Sequence, residues 1–93
     1  MAMFLFVEGP DDENYFKKVF GDKWEDLRIV KYSQLKKDKI KKFVWSISCT
    51  PNSDYIFFAD AEGKTPDQRA KLIIEKNNYL EKGKVVIVDY EIE

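Results

Sequence analysis

The sequence predicts an α/β fold: three layers, α/β/α, around a four-stranded, mainly parallel sheet. Three observations carry that expectation. Short uncharged apolar runs recur at 3–7, 55–59 and 85–88, each the length of a strand buried on both faces. Each run stops at a carboxylate, namely Glu8, Asp60 and Asp89. Between the runs lie amphipathic segments with helix-start and helix-stop residues. The resulting order, β-α-β-α-β-α-β with short connections, calls for parallel strands joined by right-handed crossovers.

Taken in order, Met3 to Val7 is the first strand, closed by Glu8-Gly9. Pro10-Asp11-Asp12 supplies helix-start chemistry, because a short acidic side chain caps free amides and suits the positive end of the helix dipole. The helix carries Tyr15, Phe16, Val19 and Phe20 on one face and stops at Gly21. Leu27 to Tyr32 is a more mixed strand, with Leu27, Ile29 and Val30 inward, suited to a sheet edge. Ser33 is the expected cap of a second helix whose apolar stripe is Ile40, Phe43, Val44 and Ile47, with Lys36, Lys37, Lys39, Lys41 and Lys42 on its other side.

The turn Cys49-Thr50-Pro51-Asn52-Ser53 delivers the chain to the strand that begins at Tyr55. A third helix start follows at Thr65-Pro66-Asp67-Gln68, where Thr65 caps, Pro66 suits the first helical position and Gln68 completes a capping box. That helix buries residues among Ala70, Ile73, Ile74 and Leu80 and is expected to stop at Gly83. Val85 to Val88 reads as a further buried strand.

Composition narrows the chemistry. Ninety-three residues with 44% apolar and 15% aromatic content suffice for one small domain, 1–93. A net charge of −1 exerts no global pull on nucleic acid, although a local basic stripe remains open. One Cys and no His exclude a disulfide framework, a Cys/His zinc site and Ser-His or Cys-His dyads. Any metal ligands are therefore oxygens, which select hard cations such as Mg²⁺, Mn²⁺ or Ca²⁺. No run approaches the about 20 apolar residues of a membrane span. The opening MAMFLFVEG lacks a basic n-region, so the expected compartment is the cytoplasm.

In a parallel sheet the carboxyl ends of all strands share one edge, where open α/β folds bind ligands. Glu8, Asp60, Glu62 and Asp89 are thereby gathered along it. The first motif reads FLFVEGPDD and the second IFFADAEG. Together they resemble the Toprim domain, a Rossmann-like fold whose signature is an apolar strand ending in Glu-Gly, an Asp three residues beyond the Gly, and a later apolar strand ending in Asp-x-Asp. Glu8, Gly9, Asp12 and Asp60 match that pattern, while Glu62 stands where the family has Asp. The β/α order fits the family's core over essentially the whole chain.

The resemblance implies a Mg²⁺- or Mn²⁺-binding domain for phosphodiester chemistry on DNA or RNA, of nuclease or nucleotidyl-transfer type. It assigns Asp60 and Glu62 as metal ligands and Glu8 as the general acid/base. The alternative it leaves is a catalytically degenerate module for protein assembly or regulation. The accessory domains on which Toprim enzymes rely have no counterpart in these residues. The chain also ends just after the last strand, which suggests a piece of a longer chain, a homodimer, or a partner domain covering the sheet there. Strand-end acids such as Asp12 and Asp89 also serve as caps or solvated turn residues. Gly63-Lys64-Thr65 is no phosphate loop, because Phe58 stands where that motif needs its first glycine, so Lys64 is at most an isolated phosphate contact. A receiver-like phospho-acceptor domain would use Asp60 but needs a fifth strand. Trp24 and Trp45 serve equally as packing residues or stacking platforms.

Overall fold

The computed structural model describes residues 2–88, apart from the side chains of residues 10–12. Four strands, β1 (Ala2–Val7), β2 (Asp26–Lys31), β3 (Ser53–Asp60) and β4 (Val85–Val88), alternate with helices α1 (Pro10–Phe20), α2 (Lys37–Cys49) and α3 (Pro66–Lys76). All strand pairs are parallel, in the order β2-β1-β3-β4. The expected four-stranded, three-layer α/β/α architecture is present.

That strand order turns back at β1: the first crossover runs to one side, the next two to the other. Right-handed crossovers then put α1 on one face and α2 and α3 on the opposite face. The side chains divide accordingly. Met3, Leu5 and Val7 of β1 join Phe58 and Phe16 of α1 on one face. Phe6, Tyr55, Phe57 and Ala59 meet Ile40, Val44 and Ile47 of α2 and Ile73 of α3 on the other. The period of two along β1 and β3 thus feeds two cores, which is why both strands read as continuous apolar runs.

Phe6 sits at the centre, fully buried, edge-on to Phe43 (5.4 Å) and Tyr55 (6.1 Å) and stacked with Phe57 (6.1 Å). On α1, Phe16 is buried and stacks at 5.8 Å on partly buried Phe20. Tyr15 and Val19, expected on the same face, remain exposed because four residues at that spacing span a wider arc than one helix can press onto a sheet.

Three boundaries differ from the expectation. Ser33 does not cap α2; it lies in a short 3-10 turn (Tyr32–Gln34), and α2 starts after Lys36 without a side-chain cap. The capping box of α3 is present as expected, with both Thr65 and Gln68 engaged. That helix ends at Asn77 rather than running to Gly83. The Asn77 amide side chain and its backbone N–H both donate to the carbonyl of Ile73, which diverts the chain, and Leu80 is buried from the following turn. Lastly, β4 is only partly buried, because among the described residues it pairs with β3 alone and Val86 faces outward.

Since β4 is an edge strand held by one ladder, its entry is latched separately. Lys84 donates to the Asp54 carboxylate at 2.6 Å, and the Glu81 N–H donates to the Tyr55 hydroxyl at 3.1 Å. Burial pushes the Asp54 carboxyl up, but the Lys84 hydrogen bond, the Tyr55 N–H and the Lys84 charge bring it below its ordinary value. The hydrogen bond to Asp54 raises the Lys84 ammonium. A depressed carboxyl stabilises the fold above its unfolded value and ceases to as pH falls through the folded value. A raised amine stabilises it below the ordinary amine value and ceases to as pH rises through the raised one. Asp54→Asn is expected to cost about 1 kcal/mol at neutral pH, or roughly 4–8 °C in Tm, and to lose that deficit as pH falls below the ordinary carboxylate range. Thermal melts of both proteins across the acid range check this; parallel curves at all pH values would refute the latch.

Candidate functional site at the carboxyl edge of the sheet

The strand order reverses between β1 and β3, so their carboxyl ends flank the crevice in which open α/β sheets bind ligands. Phe6 pairs with Phe57, and extending that register sets Glu8 level with Ala59, next to Asp60. Glu8 is exposed, and its carbonyl accepts the Ser33 N–H at 3.3 Å. Asp60 is half-buried at the end of β3, opposite Val88. Among the described residues, no side chain pairs with either carboxylate. Gly9 accepts the Glu13 N–H through its carbonyl at 3.3 Å, and a Cβ built on it would meet nothing within 4 Å, so the space above this backbone is open.

The loop after β3 is tightly specified. Ala61 is buried and donates its N–H to the carbonyl of Val88 at 3.3 Å. Glu62 and Gly63 then both take positive φ, 50° and 76°, and Lys64 N–H closes the turn on the Ala61 carbonyl at 3.0 Å. Two consecutive left-handed residues cost little at Gly63 but strain the backbone at Glu62. Arg69, in the first turns of α3, holds the loop from behind: its Nε donates to the Asp60 carbonyl at 2.8 Å, and its guanidinium pairs with the Glu62 carboxylate at 3.3 Å. Glu62 is thereby drawn towards Arg69. Lys64 is exposed and lies in a shallow hollow along α3 with Gln68 and Lys71.

Two residues that sequence reasoning passed over shape this edge. Arg69 is one; Tyr32 is the other. The Tyr32 ring stacks on Phe57 at 4.5 Å, and its hydroxyl donates to the Phe58 carbonyl at 2.9 Å, so the chain leaving β2 is tied across β1 onto β3. Neither had a local signal: a Tyr after a strand and an Arg on a helix become informative only once distant elements meet. Glu13 is a fourth acid near this edge, taken up by Lys17 (3.0 Å) and Lys31 (3.2 Å). Hydrogen bonds from Lys17 and Lys31 hold its carboxyl below the ordinary range.

The backbone register therefore sets the two strand-end motifs, with Glu8 and Asp60, at neighbouring strand ends of the switch point. The Asp12 side chain and Asp89 lie outside the described residues. Among those described, no three Asp, Glu, Cys or His side chains are gathered closely enough to hold a metal ion. The donors present are all oxygens, which in kind suit a hard divalent cation that keeps several waters. The described molecule is thus a three-layer parallel α/β domain with carboxylates at its switch point, and none of its described helices is long and apolar enough to cross a membrane. No family model matches the chain, and neither a curated protein nor a solved structure matches it.

The positive φ at Gly63 yields a direct test of the loop. Gly63→Ala meets no steric obstacle from its new Cβ, so its whole cost arises from the left-handed backbone. The expected loss is about 1 kcal/mol in denaturant unfolding, with an unchanged m-value. A variant as stable as the parent would mean that the loop relaxes to another conformation.

Proposed function

We propose that this chain is a Toprim-like domain that binds Mg²⁺ or Mn²⁺ at the carboxyl ends of β1 and β3 and takes part in phosphodiester chemistry on nucleic acid, of nuclease or nucleotidyl-transfer type. The observation that supports the reading is that β1 and β3, which end in Glu8 and Asp60, are neighbours at the point where the strand order reverses. Asp60 and Glu62 would hold the cation. When bound, the cation polarises a phosphate oxygen and offsets charge on the leaving oxygen. Glu8, exposed and unpaired among the described residues, is free to take or give a proton at the reacting oxygen. Arg69 orients the Asp60 end of the loop through its carbonyl and keeps Glu62 nearby. The cytoplasm is the compartment that suits this reading.

A second reading has its own support. Glu62 is paired with Arg69, and Tyr15 and Val19 of α1 and Val86 of β4 are exposed apolar residues. A catalytically degenerate Toprim-like module, joined to a second copy or a partner domain through the exposed residues of α1 or of β4, would use the fold without the metal.

Calorimetric titration with Mg²⁺ and Mn²⁺ separates the two. Saturable binding is expected in the parent and is expected to be lost in Asp60→Asn. Mn²⁺-dependent nicking of a nucleic acid should then fall at least about 100-fold in Glu8→Gln and Asp60→Asn. Absence of cation binding in the parent would sink the catalytic reading. If, instead, Tyr15→Asp or Val19→Asp abolished self-association in sedimentation while Glu8→Gln left function intact, the assembly reading would stand.

A further inference from the structure

We propose that the outer face of α2 is a binding track for single-stranded nucleic acid, with Trp45 as its stacking platform and the lysines at 36–42 as its phosphate contacts. The inference deepens the proposed function by naming a single strand as the substrate class. The track itself needs no metal, so the two can fail separately.

Charge segregation is the first observation. Removing the five lysines and one aspartate of residues 36–42 from the sixteen basic and seventeen acidic residues of the chain leaves eleven and sixteen, a net of −5. The short stretch itself carries a net of +4. The near-neutral whole therefore conceals one strongly basic stretch, fanned over the solvent side of the start of α2, on an otherwise acidic molecule. The second observation is that these lysines are unspent. Every ion pair among the described residues uses Lys17, Arg28, Lys31, Arg69 or Lys84, and none uses Lys36, Lys37, Lys39, Lys41 or Lys42. A basic face of ordinary solvated type is commonly interleaved with acids at helical spacing; here Asp38 alone stands among the lysines.

The third is Trp45. Its relative exposure of 70% makes it the most exposed large apolar side chain among the described residues, whereas Trp24 packs against Phe20 at 5.7 Å. Lys41 and Lys42 stand one helical turn before it, so an aromatic ring is flanked by ammonium groups on one surface. Hollows lie on both sides of the helix. One of about 700 Å³ is lined by Lys31, Leu35, Lys39, Lys42 and Phe43, and one of about 510 Å³ by Lys41, Lys42, Trp45, Ser48 and Tyr79. Rings and lysines along a groove are what a base-stacking, backbone-tracking site requires.

Placement ties the track to the carboxylate edge. α2 follows the turn whose Ser33 donates to the Glu8 carbonyl, so Lys36 and Lys37 start beside that edge and the helix runs back from it for about 20 Å. An anionic membrane is a poorer occupant. A membrane-surface helix must bury a broad apolar face, and the apolar residues of α2, Ile40, Val44 and Ile47, are already spent on the sheet. Duplex DNA keeps its base faces stacked and offers Trp45 nothing to stack on.

The test is fluorescence anisotropy of a labelled oligothymidylate in EDTA. The parent should bind saturably at low salt, with log K falling against log salt by about 0.7 for each phosphate neutralised. Trp45→Ala should weaken binding roughly 5- to 150-fold, and Trp45→Phe should restore most of it. The Lys41→Glu, Lys42→Glu double variant should weaken binding and flatten the salt dependence. All three positions are exposed, and matching melting curves establish that the variants fold. No binding by the parent, equal binding by Trp45→Ala, or affinity for polyglutamate or for phosphatidylserine vesicles equal to that for the oligonucleotide would each overturn the proposal.

Discussion

The structure depends on the burial of β1 between β2 and β3 with its two sides committed to different cores. Phe6 is the centre of one side and Leu5 and Val7 are the centre of the other, all with no measurable exposure. Burying a side chain of this size is worth about 1.5–3 kcal/mol, and each well-placed ring pair around Phe6 adds about 0.5–1.5 kcal/mol. A polar residue at any of these positions would leave an uncompensated group in the middle of the sheet. This is why the first strand tolerates no charge until Glu8. The same constraint makes the site: a strand buried on both faces must lie inside the sheet, and the chain must then pass over it to build the other half. The end of β1 consequently adjoins the end of β3.

Side chains that reach distant backbone carbonyls fix the edge where these ends meet. Tyr32 ties the chain after β2 to the Phe58 carbonyl, and Arg69 ties α3 to the Asp60 carbonyl. Both donors come from elements that follow a strand and return over the edge. Each also has a second engagement, Tyr32 with the Phe57 ring and Arg69 with the Glu62 carboxylate, so neither can swing away without losing two interactions. The result is an edge with a firm backbone on which Glu8 is exposed, Asp60 is half-buried and Glu62 is held by Arg69.

Much of this was legible in the sequence because it rests on local rules. Apolar runs ended by acids marked three strands, and the Thr65–Gln68 capping box marked the start of α3 to the residue. The alternation of elements implied parallel strands, and parallel strands implied a shared carboxyl edge. What was not legible depended on competition or on distance. Gly83 looked like a helix stop, but Asn77 intercepted the Ile73 carbonyl first. Ser33 looked like a cap, but the chain needed it in the turn beside Glu8. The VVIV run looked fully buried, yet burial of a strand depends on neighbours that its own sequence does not encode. The pairing of Glu62 with Arg69 follows from the left-handed turn at 62 and 63, which a glycine at 63 signals only in part.

A cluster of carboxylates is a poor place to bring a polyanion. Glu8, Asp60 and Glu62 repel phosphate, and with residues 36–42 set aside the molecule carries an excess of five negative charges. A cation at the edge would offset a small part of that field, and only within its immediate surroundings. Any nucleic acid arriving at the edge therefore needs a separate electrostatic foothold. Among the described residues, the five lysines of 36–42 are in no ion pair, and α2 begins where the chain passes Glu8. Acids that discourage approach and lysines that permit it are thus set side by side. An approaching strand would be held along α2 and meet the carboxylates only at its end, so the charge pattern itself favours one direction of entry.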